Sequence, residues 1–262
     1  DALVRAQREA DASGDPMLLA RLNHEQARQA YLDADYGRAW ALISKAETEV
    51  TLEAPFDLRT GVLGTLGTVC WALGRYRESL NYFEKQATMR HDAGNLFLES
   101  QSRCNIAVLA DTLRGEDGVT TQDVRGLVKR AFDTAVSAGN ESMANAARLL
   151  MAEDPSIDSG IRIGHLETVL RTDRDPGFLC QALRNLSLLR LRADPGHREV
   201  AIGLVEKAIA LARESGEPQE IALAYVARMN LRWETGPREA AIADSLAALA
   251  VVEKIRDLQR DE

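Results

Sequence analysis

Histidine is the residue type most often used for acid–base chemistry and metal binding near neutral pH, and this chain contains four histidines. His24 and Glu25 could be drawn as an acid–base pair, but neighbouring residues on a helix point about 100 degrees apart and do not face one substrate. His91 is expected near a helix end, where a positive charge is favourable. His165 and His197 have no neighbours of metal-ligand type. We interpret all four as structural, solvated or groove residues and expect no metal site.

The three cysteines, Cys70, Cys104 and Cys180, lie far apart and lack the spacing of metal ligands. An odd number of cysteines suits a reducing compartment better than a disulfide framework. Cys70 and Cys104 fall among apolar helix positions. Cys180 precedes Arg184 by one turn, which is close enough to stabilise a thiolate. The pattern predicts buried free thiols that serve packing, in a cytoplasmic protein without cofactors.

The acidic stretch 115–123 carries oxygen ligands of the kind that calcium prefers, but it lacks the alternating ligands and the distal glutamate of an EF-hand loop. Thr121 more simply predicts a cap for the next helix. The sequence contains no glycine-rich phosphate loop, no His-Glu-x-x-His helix and no Gly-x-Ser-x-Gly elbow. We therefore predict that this chain is not an enzyme.

Charge and hydropathy exclude two classes of partner. A net charge of -8 argues against a surface that neutralises many nucleic-acid phosphates. No apolar run approaches the roughly 20 residues that a membrane-spanning helix needs. The first five residues also lack the basic and apolar regions of a signal peptide. We expect neither nucleic acid nor membrane as a partner.

The elements that would position these residues recur with a period of about 40. A small residue is followed, eight positions later, by a helix-stopping glycine in three places: Ala6 and Gly14, Ala131 and Gly139, Ala208 and Gly216. Gln86 and Gly94 have the same spacing. Ala46 and Ala54, just before Pro55, fit the same spacing. The stops at 14, 54, 94 and 139 are 40, 40 and 45 residues apart. Such self-similarity is typical of repeat proteins.

Each period divides into two helices around a turn, most clearly where Gly74 and Arg75 separate two amphipathic stretches. The first stretch has one apolar stripe, formed by Leu63, Leu66, Gly67, Cys70 and Leu73. The second has another, formed by Tyr76, Leu80, Phe83 and Ala87. Glycine inside a helix costs about 1 kcal/mol relative to alanine, so Gly67 predicts that another backbone passes close by.

A small residue midway along the first helix, a Gly-x-Tyr turn (Gly74 to Tyr76) and a small residue late in the second helix resemble the tetratricopeptide repeat. The stretch 31–39 repeats the turn, with Ala27 and Ala46 as the small residues, and 105–107 and 185–187 match the first-helix pattern. The longer period resembles arrays of bacterial signalling proteins. The resemblance implies an all-α, right-handed superhelical solenoid of antiparallel helix pairs, with about five to six repeats.

We divide the chain into a single array of repeats, the fourth of them degenerate: 1–15 (second helix of a truncated repeat), 16–55, 56–95, 96–140, 141–176 (degenerate), 177–216, and 217–262 (a repeat plus a terminal helix). Pro237 is expected to open the terminal helix. Both ends are expected to be cut, which makes the chain a fragment of a larger protein. The stretch Glu253–Gln259 resembles the helix that joins such arrays to caspase-like CHAT peptidase domains in bacteria.

In this family the first helices line the concave face, so the resemblance places partner binding on first-helix residues that lie off the packing stripe. These are His24, Arg28, Tyr31, Thr68, Trp71, Gln101, Asn105, Asn145, Arg148, Gln181, Arg184, Asn185, Arg192, Tyr225, Arg228 and Arg232. Asn105 and Asn185 stand where some family members hold a peptide backbone or terminal carboxylate. Trp71 and Tyr31 could stack a small ligand, whereas Trp40 and Trp233 are interpreted as packing residues.

Successive first helices of the C-terminal half carry Arg184, Arg192, Arg228 and Arg232, which would form a basic surface suited to carboxylates. One hypothesis is that this half binds an acidic peptide or an acidic segment of a partner, and the alternative is that the arginines pair with nearby acids. The function we expect is a non-catalytic protein-interaction scaffold. The alternative function is a sensor arm that binds a small molecule or signalling peptide and controls a peptidase or nucleotide-binding switch domain in the same polypeptide.

Overall fold

The structure, a computed structural model, describes residues 12, 14–115, 118–236 and 238–258. Within these residues it contains no strand and twelve α-helices, so the predicted all-α class is confirmed. The helices are α1 (Pro16–Leu32), α2 (Tyr36–Glu49), α3 (Phe56–Ala72), α4 (Tyr76–Asp92), α5 (Leu96–Thr112), α6 (Thr121–Ser137), α7 (Glu141–Glu153), α8 (Ser159–Thr172), α9 (Pro176–Ala193), α10 (Arg198–Ser215), α11 (Pro218–Thr235) and α12 (Arg238–Leu258). The predicted helix within 1–15 falls almost wholly outside the described residues, as do Pro237 and Gln259.

The chain divides into two compact units. Unit 1, Asp1–Asn140, holds α1 to α6, and unit 2, Glu141–Glu262, holds α7 to α12. Within each unit every helix packs against the next one along the chain, which produces stacked helix pairs. α1 also packs against α3, α7 against α9, and α9 against α11. In the part of the chain that the structure describes, the main contacts of each helix are therefore with helices one or two places away in sequence, as expected of a repeat array.

Side-chain caps explain where several helices begin. The carboxylates of Asp15 and Asp175 accept hydrogen bonds from the first turns of α1 and α9. At the start of α6, Thr120 accepts from the backbone N–H of Asp123, and the Asp123 carboxylate accepts from the Thr120 N–H. The predicted cap, Thr121, was therefore wrong by one residue, because only Thr120 has an acid three positions later to complete the capping box.

Left-handed turn residues explain where helices end. Gly74, Gly94, Gly139 and Gly216 follow α3, α4, α6 and α10 with φ between 65° and 75°, as the glycine stops predict. Ala34 occupies the same kind of position after α1 with φ 58°. The predicted stop at Ala54 was wrong, since α2 already ends at Glu49 and a longer connection follows.

A row of three glycines on α3 receives side chains from neighbouring helices. A Cβ on Gly67 would lie 2.8 to 3.0 Å from three atoms of the Phe83 ring, and one on Gly64 would collide with the Gln86 amide. A Cβ on Gly61 would lie 3.0 Å from the His24 ring. Close packing at Gly67 is thus confirmed, although a side chain rather than a backbone approaches it.

The two predicted apolar stripes are mostly buried. Leu66, Gly67 and Cys70 are buried, but Leu73 is 39% exposed because it lies beyond the last residue of α3. On α12, Ala241, Asp244 and Ala248 are buried, whereas the larger apolar residues are half-exposed: Ile242, Leu246, Leu249 and Val252. None of the described helices is long and apolar enough to span a membrane.

Candidate functional site

Unit 1 contains a cavity of about 410 Å³ that is lined by residues of four helices. α1 contributes His24, Arg28, Tyr31 and Leu32; α3 contributes Gly61, Gly64, Thr65 and Thr68; α4 contributes Phe83, Gln86 and Arg90; and α5 contributes Gln101 and Asn105. Its volume lies within the roughly 300–1,000 Å³ typical of ligand pockets.

The cavity reaches α4 because of how the helices around it pack. α1 packs against α3, but direct contact between α3 and α5 is slight within the described chain. Gly64 and Gly67 leave room on α3 for Gln86 and Phe83 of α4. As a result, residues of a second helix become part of a surface that the repeat pattern assigns to first helices.

A buried hydrogen-bond network fixes the back of the cavity. The Gln86 amide donates to the Thr60 carbonyl over 2.7 Å and accepts from the Ser102 hydroxyl over 2.8 Å. The Arg90 Nη1 donates to Ser102 Oγ over 2.9 Å and to the Leu98 carbonyl over 2.8 Å. Because these bonds tie α4 to both α3 and α5, the guanidinium of Arg90 has a fixed position.

The charges at the cavity are positive, and none of its lining residues is acidic. Arg28 is exposed and pairs with Glu25 over 3.1 Å. Arg90 is half-buried, and its bonds go only to neutral acceptors, while its Nε is buried without a hydrogen-bond partner. Burial therefore lowers the pKa of Arg90.

His24 lies beside Thr65, with 3.0 Å between its Nε2 and Thr65 Oγ1. Burial lowers the pKa of His24, Glu25 opposes this effect, and Arg28 adds to it. The distance would suit a nucleophile and its base, but the Glu25 carboxylate lies 3.9 Å from Nδ1, too far for a hydrogen bond. Among the described residues, no carboxylate lies at hydrogen-bond distance to orient this imidazole, as in a catalytic triad.

Six of the predicted binding residues converge on this cavity: His24, Arg28, Tyr31, Thr68, Gln101 and Asn105. The prediction that Trp71 stacks a ligand with Tyr31 was wrong, because Trp71 packs against the buried cluster around Phe83 and Ile106. The Tyr31 ring instead lies 5.6 Å from that of Tyr36. The sequence analysis did not predict Gln86 and Arg90 as cavity residues. The available signal was the spacing of glycines on α3, which leaves room for side chains of α4.

The predicted basic surface of unit 2 is mostly neutralised by acids of the same unit. Arg184 pairs with Glu220, while Arg228 and Arg232 both pair with the buried Asp244 over 2.7 and 2.9 Å. For these three arginines, the structure therefore shows pairing with nearby acids and not a basic surface that is open to a partner. Arg192 is exposed.

Other predicted residues of unit 2 are also engaged in packing or hydrogen bonds. Asn145 is fully buried and donates to Thr172 and Asp173, and Tyr225 is only 8% exposed in the core between α10 and α11. A partner cannot reach either side chain, so both predictions were wrong. The remaining side chains bond to acids at the surface: Gln181 and Asn185 to Glu153, and Arg148 to Glu141. Trp233, interpreted as packing, is 56% exposed beside Arg238.

All three cysteines are buried, as predicted. Burial raises the pKa of Cys70 to about 11 and that of Cys104 to about 12. The pKa of Cys180 is also about 11, because burial and the Glu220 charge outweigh Arg184. Arg184 therefore does not stabilise a Cys180 thiolate enough to offset the burial of the thiol. Among the described residues, no three His, Cys, Asp or Glu side chains are grouped as metal ligands would be.

No family model matches this chain, and no curated protein matches it in sequence. Solved structures share its fold. NprR in complex with its cognate peptide NprX aligns with a TM-score of 0.66 and 14% identity, covering 93% of this chain and 70% of that one. The apo quorum sensor NprR from B. thuringiensis aligns with a TM-score of 0.61 and 14% identity, covering 100% of this chain and 74% of that one. A Rap protein complexed with Competence and Sporulation Factor aligns with a TM-score of 0.60 and 12% identity, covering 92% of this chain and 76% of that one. This likeness shows that the chain has the all-helical repeat fold of tetratricopeptide type.

Proposed function

We propose that this chain is a non-catalytic recognition scaffold that binds a short peptide, or a peptide segment of a protein, in the unit 1 cavity. The observation that carries the proposal is the convergence of first-helix side chains from α1, α3 and α5 on one polar cavity of about 410 Å³. Loops do not build this surface; packed helices do, and that favours a preformed site.

The chemistry of the lining supports a peptide rather than a flat aromatic ligand. Gln101 and Asn105 offer amide donors and acceptors that match a peptide backbone, and Tyr31 adds an amphipathic ring. The aromatic pair that would have stacked a small molecule is not formed in the cavity, since the half-buried Trp71 packs against the cluster around Phe83 and does not line the cavity. The likeness to NprR, solved in complex with its cognate peptide NprX, and to a Rap protein, solved in complex with Competence and Sporulation Factor, adds support at the level of the fold.

A non-catalytic role is supported by the state of the groups that could react. The thiols are protonated near neutral pH, because burial raises the pKa of all three. His24 lacks an orienting acid at hydrogen-bond distance. The cavity therefore offers recognition groups and no activated nucleophile.

We further propose that the scaffold regulates an effector, in line with the sensor alternative raised by the sequence. The relation to CHAT peptidases stays a prediction that rests on Glu253–Gln259 alone. The acidic-segment hypothesis is not kept for Arg184, Arg228 and Arg232, because each already has a carboxylate partner.

The proposal is tested by selecting peptides from a random display library on the immobilised protein. Thr68→Trp would place an indole in the cavity, while Ala72→Trp, one turn later on the same helix, would place it on an exposed surface. Peptides selected on the wild type should bind the Ala72→Trp variant normally and the Thr68→Trp variant at least about tenfold more weakly, which is the loss of about 1.4 kcal/mol. Equal binding to both variants would place the peptide site elsewhere.

A further inference from the structure

We propose that Arg90 is the anchor of the cavity and that it binds a carboxylate of the peptide ligand. The inference rests on the proposed function, because it names the ligand group that the same cavity receives. Arg90 lies on α4, a second helix, and reaches the cavity where α3 and α5 make little direct contact. It is not one of the first-helix positions that the repeat pattern assigns to binding.

The half-buried arginines of the unit 2 cluster, such as Arg184 and Arg228, each have a carboxylate partner. Arg90 has none within the described chain, and burial is the only influence on its pKa. A half-buried charge held by neutral groups loses hydration without gaining an ion pair, which is unfavourable unless a ligand supplies the charge.

The guanidinium of Arg90 has one nitrogen left for a ligand. Both hydrogen bonds that Arg90 donates within the described chain leave from Nη1, to Leu98 and Ser102. Its Nε is buried without a partner, so a ligand does not reach that nitrogen. Nη2 donates to no acceptor within the described chain. A ligand carboxylate can accept a charge-assisted hydrogen bond from Nη2.

Hydrogen bonds order the Arg90 side chain before a ligand binds. Arg90 donates a hydrogen bond to Ser102, Ser102 donates to Gln86, and Gln86 donates to the Thr60 carbonyl, over distances of 2.7 to 2.9 Å. Because the side chain is already ordered, little conformational entropy remains to be lost on binding. No acidic residue lines the cavity to compete for the guanidinium.

The experiment uses defined pools of synthetic peptides with acetylated N-termini, in which the other positions are randomised over residues other than aspartate and glutamate. One pool carries a fixed aspartate and an amidated C-terminus, a second carries asparagine and an amidated C-terminus, and a third carries asparagine and a free C-terminal carboxylate. Retention of each pool is measured on the wild type, on Arg90→Gln and on Arg38→Gln. Arg38 is an exposed arginine on another second helix of unit 1 and serves as the matched control.

We expect the wild type and Arg38→Gln to retain at least one carboxylate pool about ten- to a hundredfold more strongly than the amidated asparagine pool, a preference in the range of one charged hydrogen-bond pair. The Arg90→Gln variant should lose that preference. Stronger retention of the pool with the free C-terminus than of the aspartate pool would identify a C-terminal carboxylate as the ligand group, and the reverse would identify a side-chain carboxylate. If Arg90→Gln does not fold, Arg90→Lys is measured in its place; it keeps the charge but loses the planar guanidinium, and it should show a weaker carboxylate preference than the wild type. An unchanged preference in Arg90→Lys would then overturn the assignment.

Peptide retention by the wild type without preference for a carboxylate would overturn the assignment of Arg90 and leave the proposed function standing. A carboxylate preference that survives in Arg90→Gln would also overturn it. No retention of any pool would contradict the proposed function itself, so the two failures are distinguishable.

Discussion

The contact between Gly67 and Phe83 provides a quantitative test of how α3 and α4 pack. A Cβ at position 67 would lie 2.8 Å from Phe83 Cζ and 2.9 Å from Cε2, closer than carbon atoms approach without displacement. Phe83 is 2% exposed and belongs to the cluster with Ala87, Ile106 and Leu109, so its ring has little space to retreat. Gly67→Ala should therefore introduce overpacking strain of about 1–3 kcal/mol.

Alanine also favours a helix over glycine by about 1 kcal/mol, and this gain must be separated from the strain. Gly126 provides the control, because it lies within α6 and a Cβ there would meet nothing within 4 Å. Gly126→Ala should show the gain alone, whereas Gly67→Ala should be neutral or destabilising by up to about 2 kcal/mol. In a protein of this size, 1 kcal/mol corresponds to about 2–4 °C in the melting temperature.

Thermal unfolding followed by far-ultraviolet circular dichroism and by tryptophan fluorescence measures both variants. The Phe83→Leu background removes the ring, and Gly67→Ala made in that background should approach the gain seen at Gly126. The difference between the two backgrounds is the coupling energy of the pair. If Gly67→Ala raises the melting temperature as much as Gly126→Ala, the ring does not occupy the space over Gly67 and the reasoning is refuted.

Four other predictions concern stability and reactivity. Ala34 has a left-handed φ of 58°, so Ala34→Gly should raise the free energy of unfolding by about 1 kcal/mol, measured by urea denaturation; no gain would contradict the strain. Asp244→Asn leaves two half-buried arginines without their shared acid and should cost about 3 kcal/mol, against less than about 1 kcal/mol for Glu167→Gln in an exposed pair. Burial raises the pKa of Cys104 to about 12, so the buried thiols should resist a thiol reagent until urea unfolds the protein. The free energy of unfolding that the neutral Cys104 thiol contributes is present below the unfolded pKa and is lost as the pH rises from about 9 towards 12. Burial lowers the pKa of His24, so the free energy that it contributes is present above pH 6.5 and falls as the pH drops through the folded pKa; an NMR titration midpoint at or above 6.5 would oppose this.

The helical pairs could be predicted from local signals, because glycine turns and apolar spacing act within a few residues. The turn after α3 illustrates this, since Gly74 and the stripe ending at Cys70 define both helices without reference to the rest of the chain. The capping threonine of α6 shows the limit of such signals. Choosing Thr120 over Thr121 requires the reciprocal bond to Asp123.

The candidate site could be predicted only in part, because charge pairing depends on residues distant in sequence. Arg228 appeared available until the fold brought Asp244 to it, and Asn145 appeared exposed until Asp173, 28 positions later, enclosed its amide. Arg90 shows the opposite case. It lies on a helix that the repeat pattern assigns to the outer face, and only the gap between α3 and α5 brings it to the cavity.

The slight contact between α3 and α5 means that α4 acts as the spacer between two walls of the cavity. Ala87 packs against Ile106 of α5, and Trp71 of α3 joins the same cluster, yet none of these three lines the cavity. Their sizes set how far apart the walls stand. Substitutions at these residues would therefore change ligand selectivity without touching the ligand. A search for specificity mutations should include the buried side chains of α4.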